Sequence, residues 1–200
     1  MAIALILGSP TANSRSAELA RFLTAGLVED GLTVDRVVLR DLPPAALLAA
    51  DRSAPPIAAA VSVVERAQGV IVATPIYKGA YAGLLKVFLD LLPHEALTGK
   101  VALPLATGGG PAHFLALDFA LKPVLAALGA RLVLAGVYAT DGQIVRAETG
   151  AYQPDDATAI RLTQARDDLL HALTRAAGHP RAADSASGQS RRSLVDTLIP

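Results

Sequence analysis

The stretch Ala2-Ile3-Ala4-Leu5-Ile6-Leu7-Gly8-Ser9-Pro10-Thr11-Ala12-Asn13-Ser14-Arg15-Ser16 decides how the chain is read. Its unbroken apolar run has the length of a strand buried on both faces. Gly8 and Pro10 punctuate the end of that strand. From Arg15 to Asp30 the apolar residues Leu19, Phe22, Leu23 and Leu27 recur at helical spacing. Buried strand, short loop and amphipathic helix, in that order, make the first unit of a parallel α/β sheet.

Working outward, the same alternation recurs. Thr33–Leu39, Gly69–Ala73, Val101–Ala106 and Leu132–Tyr138 are rich in Val, Ile and Leu and are predicted strands. Ala54–Ala67, Tyr81–Leu92, His113–Leu128 and Asp155–Ala177 carry helical spacing. Five strands with intervening helices fit a flavodoxin-like, doubly wound parallel sheet in the order 2-1-3-4-5. Right-handed crossovers then gather the loops after strands 1, 3 and 4 at the C-terminal edge, where such sheets bind ligands. Pro123 is predicted to kink the helix His113–Leu128, because it removes a hydrogen bond. Residues 1–177 read as one domain. Residues 178–200, rich in Ser, Ala, Arg and Gly, are expected to be a mobile tail, with Leu194–Ile199 apolar enough to dock. Thr140–Gln153 has no clear period.

Composition narrows the function. The 200 residues are 52% hydrophobic, which rules out a wholly disordered chain. Lys+Arg and Asp+Glu are each 18, so a basic nucleic-acid binder gains no support. There is no cysteine, which excludes disulfides, thiolate metal sites and Cys nucleophiles. The histidines His94, His113, His171 and His179 lack metal-like spacing, so no metal is expected. No apolar run reaches the length of a membrane span, and no signal segment opens the chain. The expectation is a soluble, cytoplasmic protein.

Three loops could carry chemistry. The first places hydroxyls at Ser9, Ser14 and Ser16 beside Arg15 at a helix start, where free N–H groups and the dipole favour an anion such as phosphate. A helix cap alone accounts for one serine, not for three hydroxyls and an arginine. The loop is neither a Walker A sequence nor Gly-x-Gly-x-x-Gly. In the second, Pro75, Ile76, Tyr77 and Lys78 offer a stiff backbone, a flat ring and a positive charge, which suits a planar heteroaromatic ligand or an ordinary strand-to-helix turn. In the third, Thr107, Gly108 and Gly109 leave bare backbone for a planar ligand, or simply turn the chain. His113 beside them reads as a capping or polar surface residue, or as a ligand contact. Lys86 and Asp90 are spaced to pair along one helix face.

In combination these segments are specific. Gly8-Ser9-Pro10 with Ser14-Arg15-Ser16, Thr74-Pro75-Ile76-Tyr77-Lys78, Gly83-Leu84-Leu85-Lys86 with Asp90-Leu91-Leu92-Pro93, and Leu103-Pro104-Leu105-Ala106-Thr107-Gly108-Gly109 with Ala112-His113 resemble the NAD(P)H-dependent FMN reductases. Within that family the chain is most similar to the SsuE-type reductase component of two-component alkanesulfonate monooxygenases, over about residues 1–145. The resemblance implies hydride transfer from NADPH or NADH to FMN, with no catalytic side chain. It implies Ser9, Ser14, Arg15 and Ser16 around the FMN phosphate, Pro75, Ile76, Tyr77 and Lys78 along the flavin, and Thr107, Gly108 and Gly109 beside the ring. It implies a homodimer or homotetramer built through the third and fourth helices, and a flavin-dependent monooxygenase as partner. Members of the SsuE-type group often carry a tyrosine in a π-bulge of the fourth helix, where this chain has Phe119. The alternatives are an FMN-retaining reductase of quinones, azo dyes or metal ions, and a non-enzymatic flavin-binding electron carrier or redox sensor.

Overall fold

The computed structural model describes residues 1–147 and 151–178. The expectations for the tail, including a docked Leu194–Ile199, lie outside the described residues. The central sheet holds β1 (Ala2–Leu7), β2 (Thr33–Val38), β3 (Gly69–Tyr77), a short β4 (Ala80–Tyr81), β5 (Val101–Gly108), β6 (Leu132–Val133) and β7 (Val137–Thr140). Its order is β2-β1-β3-β5-β6, with β7 also parallel to β5 and β4 antiparallel to β3. That is the five-position parallel sheet expected from the alternation of strands and helices.

Alternation along each strand feeds two cores. Ala4 and Ile6 of β1 face one side, with Phe88, Ile57 and Val64; Ile3, Leu5 and Leu7 face the other, with Leu19, Leu23 and Leu27. The first side is covered by α2 (Pro44–Leu48), α3 (Pro55–Arg66), α4 (Gly83–Leu89) and α5 (Lys122–Ala127); α1 (Arg15–Glu29) and α6 (Asp156–Ala177) cover the second. A fully buried leucine or phenylalanine contributes about 1.5–3 kcal/mol, so these faces supply the driving force for closing the layers. The helix α2 has no counterpart in the sequence reading.

Three elements differ from the sequence expectation for identifiable reasons. The predicted strand Leu132–Tyr138 is split into β6 and β7. Leu134 N donates to Ala102 O at 2.9 Å, so Ala102 and, two residues on, Pro104 turn the same backbone edge toward this strand. Pro104 has no N–H to offer there, and the ladder lapses between Val133 and Val137. The predicted helix Tyr81–Leu92 starts later, because Tyr81 pairs with Ile76 in the β3–β4 hairpin. The two-residue turn of that hairpin puts Lys78 at φ 51° and Gly79 at φ 81°, the left-handed pair that matches strand twist.

The predicted helix His113–Leu128 is a 3-10 turn over Pro111–Phe114, a π-helix over Leu117–Leu121 and then α5. Pro123 therefore stands in the first turn of α5, where its missing N–H is least missed. The change of helical pitch just before it takes the place of a simple proline kink. Among the described residues no helix is long and apolar enough to cross a membrane.

Candidate functional site

At the C-terminal edge of the sheet, the ends of β1, β3, β5 and β7 open onto one cleft of about 310 Å³. Ser9, Ser14 and Arg15 line it from the first loop, Pro75, Ile76 and Tyr77 from the end of β3, and Thr107, Gly108 and Gly109 from the end of β5. Of the residues assigned to the flavin from the sequence, Ser16 and Lys78 are not on its wall. Ser16 is buried in the first turn of α1, sharing a hydroxyl–hydroxyl bond of 2.8 Å with Ser14. Lys78 is exposed in the hairpin turn.

The start of α1 is built to receive rather than to be self-satisfied. Ser14 has extended N-cap geometry, yet its side chain does not cap the helix; its hydroxyl bonds to that of Ser16 instead. The first N–H groups of α1 thus face outward with the positive end of the helix dipole. Ser9 Oγ accepts from Thr11 N at 3.2 Å, which curls the loop over the cleft. Arg15 packs its guanidinium over the Tyr152 ring, 4.8 Å from the centroid. Its Nη1 lies 3.7 Å from Asp141 Oδ1, an ion pair too long for a hydrogen bond. Arg15 Nε is buried and has no acceptor among the described residues. A buried, unanswered guanidinium donor beside open helix N–H groups suits an anion with several oxygens.

The other end of the cleft is closely packed. A methyl group on Gly108 would sit 2.9 Å from Tyr138 Oη, 3.1 Å from His113 Nδ1 and 3.3 Å from Ile76 Cβ, so only bare backbone fits. Tyr138 Oη donates to Gly110 O at 2.6 Å, fixing the glycine loop. Burial first, and the nearby Asp141 carboxylate second, push the Tyr138 phenol above its ordinary pKa, so the neutral donor persists at neutral pH. Thr74 Oγ1 accepts from Ala82 N at 3.0 Å and ties β3 to the start of α4. Tyr77 stands half-exposed at the rim. Planar ligands that bury one face on backbone and present edge acceptors to N–H groups fit such a floor.

The sequence reading missed Thr11, Asn13, Asp141 and Tyr152. Asp141 follows β7, whose end also opens on this edge, so the topology itself pointed to a fourth loop. Tyr152 lies on β9 (Tyr152–Pro154), which pairs with β8 (Ile144–Arg146); strands this short show no period. His113 packs against Gly108, its Nδ1 buried and without a hydrogen-bond partner among the described residues, a tighter place than a surface role. Lys86 Nζ donates to both Asp90 oxygens at 2.6 and 2.7 Å, which raises the Lys86 pKa. Among the described residues no three His, Asp or Glu side chains are grouped to hold a metal.

Comparison with known proteins shows the family. A family described as NADPH-dependent FMN reductase matches residues 1–144. An FMN reductase (NADPH) of Escherichia coli K12 is 46% identical over 145 residues, covering 72% of this chain and 76% of its own length. One from Pseudomonas putida KT2440 is 42% identical over 171 residues, covering 86% and 83%. The solved apo structure of the NADH:FMN oxidoreductase EMOB superposes with a TM-score of 0.78 at 43% identity, over 92% of this chain and 99% of that one.

Proposed function

The chain belongs to the NADPH-dependent FMN reductase family and is an enzyme that transfers a hydride from NAD(P)H to FMN; from that premise we propose that it is an SsuE-type member that takes FMN as an exchangeable substrate and hands it on reduced to a flavin-dependent monooxygenase. One observation carries the site assignment. Residues from separate loops, chosen on the sequence as a phosphate loop and two flavin loops, line a single cleft whose buried Arg15 Nε lacks a partner among the described residues.

In this reading Ser9, Ser14 and Arg15 hold the phosphate, with the N–H groups of α1 aimed at it. Ser16 acts from behind, holding the Ser14 hydroxyl. Pro75, Ile76 and Tyr77 lie along the flavin, and Thr107, Gly108 and Gly109 supply the backbone beside its ring. Lys78, outside the cleft wall, contributes positive charge from the hairpin turn. When bound, FMN supplies the chemistry, accepting the nicotinamide hydride at its N5. The residues of the chain bind and orient; none needs to act as acid, base or nucleophile.

The SsuE-type reading is supported by the π-helix over Leu117–Leu121, which contains Phe119. Phe119 is 78% exposed, and Phe114 and Leu115 are exposed beside it. A patch of this kind fits a homodimer or homotetramer through α4 and the 111–127 segment. We place the enzyme in the cytoplasm, the compartment its cysteine-free sequence suits.

Steady-state oxidation of NADPH and NADH, with and without added FMN, tests the proposal on protein passed through gel filtration. Turnover should depend on added FMN and saturate with it. Stoichiometric flavin retained through the column, with turnover indifferent to added FMN, would refute the exchange reading.

A further inference from the structure

We propose that Asp141 is a built-in competitor for the flavin phosphate. It pairs with Arg15 when the cleft is open, repels the arriving dianion, and so keeps FMN exchangeable. The inference rests on the assignment of the phosphate end of the cleft to Arg15.

Arg15 has two neighbours, and they act differently. Tyr152 offers only a ring face, which holds the guanidinium plane without using its N–H donors. Asp141 offers a carboxylate 3.7 Å from Nη1, near enough to offset the charge of Arg15, while Nε stays without an acceptor among the described residues. The carboxylate also lines the same cleft as Ser9, Ser14 and Gly109. A dianion bound there competes with Asp141 for the charge of Arg15 and sits near a like charge. Both effects weaken the phosphate contact, and neither touches a neutral flavin lacking phosphate.

The placement of Asp141 is not accidental to a loose loop. Thr140 N donates to Gln143 Oε1 at 3.0 Å, completing a reciprocal cap around the 3-10 turn Asp141–Gln143. Gln143 O in turn accepts from Asp155 N at 2.8 Å, which ties this turn to the start of α6. Tyr152, opposite Arg146 in the β8–β9 ladder, is set by the same unit. Residues 140–147 and 151–155 thus present both neighbours of Arg15 from elements bonded to one another.

Losing Asp141 should therefore tighten FMN. Arg15 keeps its ring support from Tyr152, and a half-exposed ion pair of this length contributes little to holding it. What is removed is the like charge that the dianion meets in the cleft, together with the carboxylate that competes for Arg15.

The test is titration of the wild type, Asp141→Asn, Asp141→Ser and Arg15→Ala with FMN and with riboflavin, followed by flavin fluorescence. FMN release is timed by stopped flow. For both Asp141 variants the expected result is an FMN Kd lowered about fivefold, through slower release, and less so in high salt. Riboflavin affinity should stay where it is. Unchanged or weaker FMN binding in both Asp141 variants, while Arg15→Ala still loses FMN selectively, overturns the competitor role alone. Arg15→Ala that leaves FMN binding intact overturns the phosphate assignment beneath it.

Discussion

Gly108→Ala probes the floor of the cleft where the structure is least forgiving. The added methyl would meet Tyr138 Oη at 2.9 Å, His113 Nδ1 at 3.1 Å and Ile76 Cβ at 3.3 Å. These atoms belong to three separate elements, so no single side-chain rotation relieves them. Tyr138 Oη is moreover fixed by its bond to Gly110 O at 2.6 Å. Overpacking of this kind costs about 1–3 kcal/mol, and losing the tyrosine bond adds about 1 kcal/mol. Alanine also restricts the unfolded chain, which offsets about 0.4–1 kcal/mol. Strain wins, with a net loss of about 2 kcal/mol, or a Tm lower by about 4–8 °C for a domain this size. Thermal unfolding followed by circular dichroism reads the shift. Tyr138→Phe removes the closest contact, so adding it to Gly108→Ala should bring no further loss. A Gly108→Ala Tm equal to or above the wild type would refute the reasoning, as would losses that simply add in the double variant.

Leu23→Ala empties a buried position between α1 and the sheet and should lose about 2–5 kcal/mol in urea unfolding, with FMN affinity per folded molecule unchanged. Phe119→Ser should leave the stability of a dissociated protomer within about 0.5 kcal/mol, since Phe119 is exposed there, but should lower the assembly mass in light scattering. The Asp155 carboxylate accepts from Thr158 N at 2.8 Å and caps α6; its bonds to Thr158 hold its pKa below the ordinary value. Because the pKa in the folded state is the lower one, this stabilisation is whole above about pH 4 and is lost as pH falls through the lowered value. The Tm gap between wild type and Asp155→Ala should therefore close in acid and stay open at neutral pH.

Much of this was legible in the sequence, for reasons that particular residues show. The run Ala2–Leu7 and the helical spacing of Leu19, Leu23 and Leu27 are long, periodic signals, and the structure follows them. The cleft was legible because each loop follows a recognisable buried strand. What was hidden depended on contacts distant in sequence. Pro104 splits the strand opposite it, across about thirty residues, through an N–H it does not have. Ile76 and Tyr81 pair around a turn of Lys78 and Gly79, a short-range event masked by the helical spacing that follows. Asp141 and Tyr152 were invisible because a 3-10 turn and two three-residue strands carry no period, and their role is defined only by Arg15 across the cleft.

The phosphorus NMR signal of FMN titrated into the wild-type protein tests the central claim most directly. If the phosphate lies on the α1 start beside Arg15, its resonance should shift and broaden on binding. The phosphate should also stay dianionic to lower pH than in free FMN. A phosphate signal that titrates as in free FMN, while the flavin fluorescence shows the ring bound, would contradict the account.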